Sequence, residues 1–148
     1  LEYFNEHGLA CDYTGVDFSD ALLHAANLRH PNATFILGDV NELKTLVSDR
    51  FDFVIYSHVI EMLESPEQSL RLASKMADRV IIRFFEPPEF DVDTVELREM
   101  DLGLGKVPYL RRKMSKSYYQ LILANAGCRS VDVYRDASSK DQVHVLFF

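Results

Sequence analysis

Short apolar runs recur along this chain, and the stretches between them carry helical spacing. The first run, residues 13–17, ends in Gly15-Val16-Asp17; the second, residues 34–38, is followed at once by Asp39. The third, residues 51–56, has an unbroken Phe53-Val54-Ile55-Tyr56 centre, and the fourth spans residues 79–85. Unbroken runs of this length fit strands covered on both faces of a sheet. Two more runs, near 129–134 and 143–148, close the chain.

The intervening segments have recognisable starts and stops. Ser19 caps a helix from 20 to about 29, with Leu22, Leu23, Ala26 and Leu28 on its buried side and Pro31 beyond its end. Asn41 caps a short turn through Leu46. Ser65, Pro66 and Gln68 form a helix start, and that helix runs to about Ala77. Ser115 caps a helix over 116–126, stopped by Gly127. Residues 1–11 read as the end of a helix, with Leu1, Tyr3, Phe4 and Leu9 apolar and Gly8 as the stop. Residues 89–114 are polar and mixed, with Gly103, Gly105 and Pro108; they read as an insertion with one helical piece from Val95 to Met100.

This alternation predicts an α/β fold: a mostly parallel, Rossmann-like sheet with helices on both faces. The last two runs have no helix between them, so they predict an antiparallel pair at one edge. At 148 residues the chain reads as one domain, 1–148. A net charge of −7 argues against nucleic acid as a partner. No apolar run approaches the roughly 20 residues that span a bilayer, so no membrane partner is expected. Cys11 and Cys128 match no metal spacing, and His24 and His30 are too far apart to share a helical face, so no metal is expected. With no export signal, a reduced cytoplasmic setting is the default.

The chemistry lies at the strand ends. A carboxylate at the C-terminal end of a parallel strand sits where an open α/β sheet binds ligands. Asp17 and Asp39 end successive runs, which suggests a nucleotide-like ligand with one carboxylate on ribose and the other near the base. Helix initiation and turn formation are the plainer roles for the same residues. Glu86 precedes Pro87-Pro88, where a rigid turn is the plainer reading. Arg111-Arg112-Lys113, beside Tyr109, stands out in an acidic chain and reads as a solvated loop or as a grip on an acidic substrate.

Three segments, YTGVDFS (13–19), FILGDVNEL (35–43) and FDFVIYSHVIEMLESPEQSLRLASK (51–75), resemble the class I S-adenosylmethionine-dependent methyltransferases, in particular the small-molecule type 11 and 12 members. The resemblance covers residues 1–89 by motif and the rest by element order, including the antiparallel edge strand. It implies that Asp17 accepts from the ribose hydroxyls and that Phe18 packs on the adenine. It gives Asp39 the adenine amino group, the Val40 N–H a place near the ring, and the backbone of Ser57 and His58 the methionine end. S-adenosylmethionine is then the cofactor and a small molecule the methyl acceptor, met by Glu61, Glu86, Tyr109 and Arg111; the 89–114 insertion becomes a substrate lid. No dedicated catalytic residue is implied, because in-line methyl transfer mainly needs two reactants held together. A homodimer is compatible with this reading.

Two features depart from the family. Met62 stands where many members carry histidine. The glycine-rich loop and the first strand of the sheet are absent: no G-x-G-x-G string occurs, and Gly103-Leu104-Gly105 comes late and follows no predicted strand. In this family that first strand lies between the strands ending at Asp17 and at Ser57. Without it two buried edges go unpaired. The sequence therefore reads as N-terminally truncated, or as completed by a strand from elsewhere. Two alternatives compete: a non-catalytic Rossmann-like module for structure or interaction that has lost the cofactor, and an NAD-binding domain. The second leaves Asp39 and the Ser57–Leu63 turn without a role.

Overall fold

The computed structural model describes residue 4 and residues 6–101, 105–135 and 141–148. The chain divides into two compact units, Leu1–Ser48 and Asp49–Phe148.

In the first unit, Leu1 and Tyr3 lie outside the described residues, but Gly8 does end a helical turn. It takes φ +65°, which costs glycine little, and Leu9 N–H donates back to Phe4 O at 2.8 Å. The first two apolar runs become β1 (Thr14–Asp17) and β2 (Thr34–Leu37), paired in parallel with Thr14 opposite Thr34. Helix α1 (Asp20–Arg29) joins them, as βα alternation requires. Its expected apolar face is only partly realised: Leu23 is buried, whereas Leu22 is exposed and Leu28 is 74 % exposed. Among the described elements of this unit, α1 packs mainly on the two strands. After β2 comes a 3₁₀ turn over Val40–Glu42 and a short helix, α2 (Leu43–Leu46). The residue that caps this turn is Asp39, not Asn41.

The second unit is built on β3 (Val54–Ser57), β4 (Arg79–Phe84), β7 (Ser130–Arg135) and β8 (Gln142–Phe147), in the order β3-β4-β8-β7. β3 and β4 are parallel, and β8 runs antiparallel to both β4 and β7. The reversed strand is thus β8, one place in from the edge, and β7 is the edge. Helices α3 (Pro66–Met76) and α4 (Lys116–Ala126) cover a single face of this sheet. Val80, Ile82 and Phe84 of β4 are fully buried on that face, as is Leu146 of β8. Tyr56 reaches α3, its hydroxyl 2.8 Å from Ser69 Oγ, and Phe84 meets Tyr119 of α4 edge-on. The alternate positions are half-buried or exposed, and Ile55 is 53 % exposed. The expectation of helices on both faces is therefore not met within this unit. The unbroken Phe53–Tyr56 run overstated coverage, because hydrophobic content cannot say whether a second layer is present.

Residues 94–113 form a hairpin of β5 (Thr94–Asp101) and β6 (Lys106–Lys113), in place of the expected helical piece from Val95 to Met100. Leu, Glu, Arg and Met favour a helix locally, but cross-strand pairs decide the outcome here. Glu96 takes Lys113 at 2.8 Å, and Leu97 faces Leu110. Gly105 therefore does follow a strand: it opens β6 at φ +117° after β5 has ended at Asp101. Gly103 and Leu104 lie outside the described residues.

Candidate functional site

In the first unit two aspartates share one end of a parallel pair. Asp17 is the last residue of β1, and Asp39 comes two residues after β2 ends at Leu37, the register partner of Asp17. Gly38 N–H donates to Asp17 O at 3.0 Å. A Cβ there would sit 2.4 Å from Leu46 Cδ1, so any larger residue would make the Leu46 side chain move. The two carboxylates make the same turn. Asp17 Oδ1 accepts from Ser19 N–H at 2.8 Å, and Asp39 Oδ1 accepts from Asn41 N–H at 2.8 Å. The turn-forming role is thus real for both, but it uses one oxygen of each. Among the described residues Oδ2 of neither has a hydrogen-bond partner. Phe18, beside the first aspartate, is 79 % exposed, and Val40 opens the 3₁₀ turn half-buried. This end of the pair thus offers two acceptor-only groups and an open aromatic ring. A cavity of about 420 Å³ lies at the other end, lined by Tyr13, His30 and Phe35, and contains neither carboxylate.

In the second unit Ser57 ends β3, and the chain turns at His58 with φ +58°. Its N–H donates to Arg83 O at 2.9 Å, and its ring stacks on Phe85 at 3.7 Å between centroids and 18° between planes. Burial, with help from Arg83, pushes the imidazole pKa below its ordinary value, against the opposing pull of Asp141. Asp141 Oδ2 lies 3.6 Å from His58 Nε2 and is held by Arg83 through Nε at 2.9 Å and Nη2 at 2.6 Å.

Glu61, read above as a candidate substrate contact, is 1 % exposed. Its Oε2 accepts from Phe85 N–H at 3.2 Å and its Oε1 from Glu86 N–H at 3.1 Å. Burial raises its pKa, and those two N–H groups pull it back only in part. Glu61 thereby fastens the end of β4 to the Ile60–Met62 turn. Glu86 and Arg111 do come together, at 3.7 Å, and Arg111 also lies over the Phe85 ring at 4.8 Å. Tyr109 sits two residues earlier on β6, half-buried.

The basic triplet is not a solvated loop. Arg111, Arg112 and Lys113 lie on β6, over the rings of Phe85, Tyr118 and Phe90 in turn. Sequence reasoning missed Arg83, Phe85 and Asp141. The first two were signalled by the alternation in residues 79–85, which sets Arg79, Ile81, Arg83 and Phe85 on the face opposite Val80, Ile82 and Phe84. Asp141 had no local signal, because pairing of β4 with β8 alone brings it near.

Among the described residues no group of three or more His, Cys, Asp or Glu is placed to hold a metal ion. No helix of the described residues is long and apolar enough to cross a membrane.

Solved structures that share this fold include the following three. The N-terminal domain of EvdMO1 with S-adenosylhomocysteine bound matches at a TM-score of 0.67 and 18 % identity, over 92 % of this chain and 64 % of that one. DesVI of Streptomyces venezuelae matches at 0.64 and 15 %, over 98 % and 76 %. CalS10, an amino pentose methyltransferase from Micromonospora echinaspora, matches at 0.65 and 14 %, over 92 % and 73 %. The chain thus spans a little under two thirds of the EvdMO1 domain. Among curated proteins none matches it in sequence. A family model described as a methyltransferase domain matches residues 1–79, just over half of the 148. On that match, the chain belongs to the methyltransferase-domain family.

Proposed function

We propose that this chain is part of an S-adenosylmethionine-dependent methyltransferase that methylates O, N or C of a small molecule. The observation that carries the reading is the aspartate pair. Within the stretch that matches the family, two carboxylates at the same end of adjacent parallel strands keep one oxygen each without a partner. A nucleoside offers the matching donors, hydroxyls on ribose and an amino group on adenine. In this reading Asp17 takes the ribose hydroxyls and Phe18 packs on the adenine face. Asp39 takes the adenine amino group, with the Val40 N–H near the ring. The backbone of Ser57 and His58 is assigned the methionine end. The bound cofactor supplies a methyl group on a sulfonium, which makes the carbon electrophilic. The chain's own residues hold the reactants in line and exclude water.

The acceptor side draws on Glu86, Tyr109 and Arg111. Arg111 is largely buried, and its Nε has no hydrogen-bond partner, which suits a polar acceptor molecule. The hairpin within 89–114 carries exposed Val95, Leu97 and Leu110, and this supports the lid role. The reading also keeps a first strand and a glycine-rich loop supplied from outside the described residues. In support, among the described residues β1 pairs on one edge only, with β2, and β3 on one edge only, with β4.

The test is isothermal titration with S-adenosylhomocysteine. The chain should bind it, and Asp17→Asn, which keeps the turn-forming oxygen, should weaken binding about tenfold. Wild-type protein that shows no heat of binding, with or without upstream residues, would sink the enzyme reading in favour of a non-catalytic module.

A further inference from the structure

We propose that His58 and Asp141 form a proton-accepting dyad that serves the methyl acceptor, with His58 as the catalytic residue and Asp141 as the residue that positions it. The proposal rests on the methyltransferase reading above. Four observations converge on it. His58 is the only non-glycine with positive φ among the described residues, and strain of that kind persists where surrounding structure enforces it. Its ring stacks on Phe85, and its backbone is held by the N–H bond to Arg83 O. Its Nε2 faces Asp141 Oδ2 at 3.6 Å, too long for a hydrogen bond but short enough to favour a proton on that nitrogen. Its Nδ1 is buried and has no hydrogen-bond partner. A buried acceptor left unpaired is costly, and a donor from a bound molecule would relieve it.

The charged groups around the ring suit a base. Arg83 on β4 and Arg111 on β6 disfavour imidazolium, and Asp141 favours it. Arg83 anchors Asp141 with two bonds to Oδ2, so the carboxylate is held toward Nε2. The net effect with burial is a ring that is neutral at pH 7. In the step itself, the proton of the acceptor's X–H passes to Nδ1 as the X–C bond forms. The electron pair of the broken C–S bond stays on sulfur. The role suits hydroxyl and ammonium acceptors, which must shed a proton.

The first measurement needs no acceptor: the imidazole ¹⁵N resonances of His58, assigned by their loss in His58→Gln and titrated in the full chain. The expected result is a neutral ring at pH 7 with the proton on Nε2 and Nδ1 bare. Asp141→Asn should move the proton population toward Nδ1 severalfold, and Asp141→Glu should restore it. A proton resident on Nδ1 in the wild type, or a tautomer indifferent to Asp141→Asn, overturns the dyad.

The second measurement is S-adenosylhomocysteine release with tyramine, a probe that offers both a phenol and an amine. At saturating S-adenosylmethionine, His58→Gln should lose about a hundredfold in kcat or more, together with the rise of rate with pH. Wild-type turnover and an unchanged pH profile in His58→Gln overturn the base. Failure of the wild-type chain to bind S-adenosylhomocysteine counts instead against the methyltransferase reading, and the tautomer measurement then decides the dyad by itself.

Discussion

His144 on β8 shows how burial converts an ordinary side chain into a pH-dependent stability element. Its Nδ1 lies 2.9 Å from the Tyr119 hydroxyl and its Nε2 3.0 Å from Gln142 Oε1, and the ring is 5 % exposed. Burial pushes its pKa down to about 4, only partly opposed by Glu89. Unfolding returns the ring to its ordinary value of 6.5, so between pH 4 and 6.5 the unfolded chain binds a proton that the folded chain does not. The contribution of His144 to stability is whole above pH 6.5 and is lost as pH falls toward 4. A shift of that size is worth about 3 kcal/mol at most. Urea unfolding from pH 4 to 7 should show that loss in the wild type and less of it in His144→Gln. Equal losses in the two proteins would refute the assignment. The same residue marks a limit of the sequence. His144 was one of five histidines, and nothing in the Val143-His144-Val145 pattern said which way its ring faced. Asp17 and Asp39 were legible because their position, just after an apolar run, is itself the signal.

Three serines lead into helices, and at the level of elements they are not equivalent. Ser115 Oγ accepts from Tyr118 N–H at 3.1 Å, and its own N–H and hydroxyl both bond to Asp93. Ser19 Oγ accepts from Leu22 N–H at a long 3.4 Å. Ser65, which has the most complete capping pattern in sequence, makes no side-chain capping bond. Pro66 supplies the preset φ at that helix start, so the serine hydroxyl is not needed there. Ser115→Ala should therefore cost about 1–2 kcal/mol, and Ser65→Ala less than about 0.5 kcal/mol. Thermal unfolding of the two variants checks the order, and a larger loss in Ser65→Ala would show that the cap geometry is misassigned. Element type was legible wherever apolar spacing and punctuation agreed, as in β1, α1, α3 and α4. It failed at 94–101, where good helix formers are held in a strand by partners on β6, as far away as Lys113 opposite Thr94. A local reading cannot see such partners.

At the scale of the whole molecule the question is whether the family's cofactor still couples to folding. A ligand that binds only the folded chain stabilises it by RT ln(1 + [L]/Kd), about 2.7 kcal/mol at a hundredfold excess over Kd. The difficulty is that Asp17 and Asp39 each also build a turn, through Oδ1 at 2.8 Å to Ser19 and Asn41. Replacement by alanine would remove the turn along with the ligand contact. Asparagine keeps the turn-forming oxygen and drops only the charge. The double variant Asp17→Asn with Asp39→Asn should therefore unfold within about 1 kcal/mol of the wild type in the absence of ligand. In excess S-adenosylhomocysteine the wild type should gain about 2–3 kcal/mol at 100 Kd, and the double variant, tested at the same concentration, less than half of that. Unfolding of both proteins with and without ligand separates the two duties of the carboxylates. Equal stabilisation of wild type and variant would mean that the aspartates only turn the chain, and the cofactor would then have to be held by other groups.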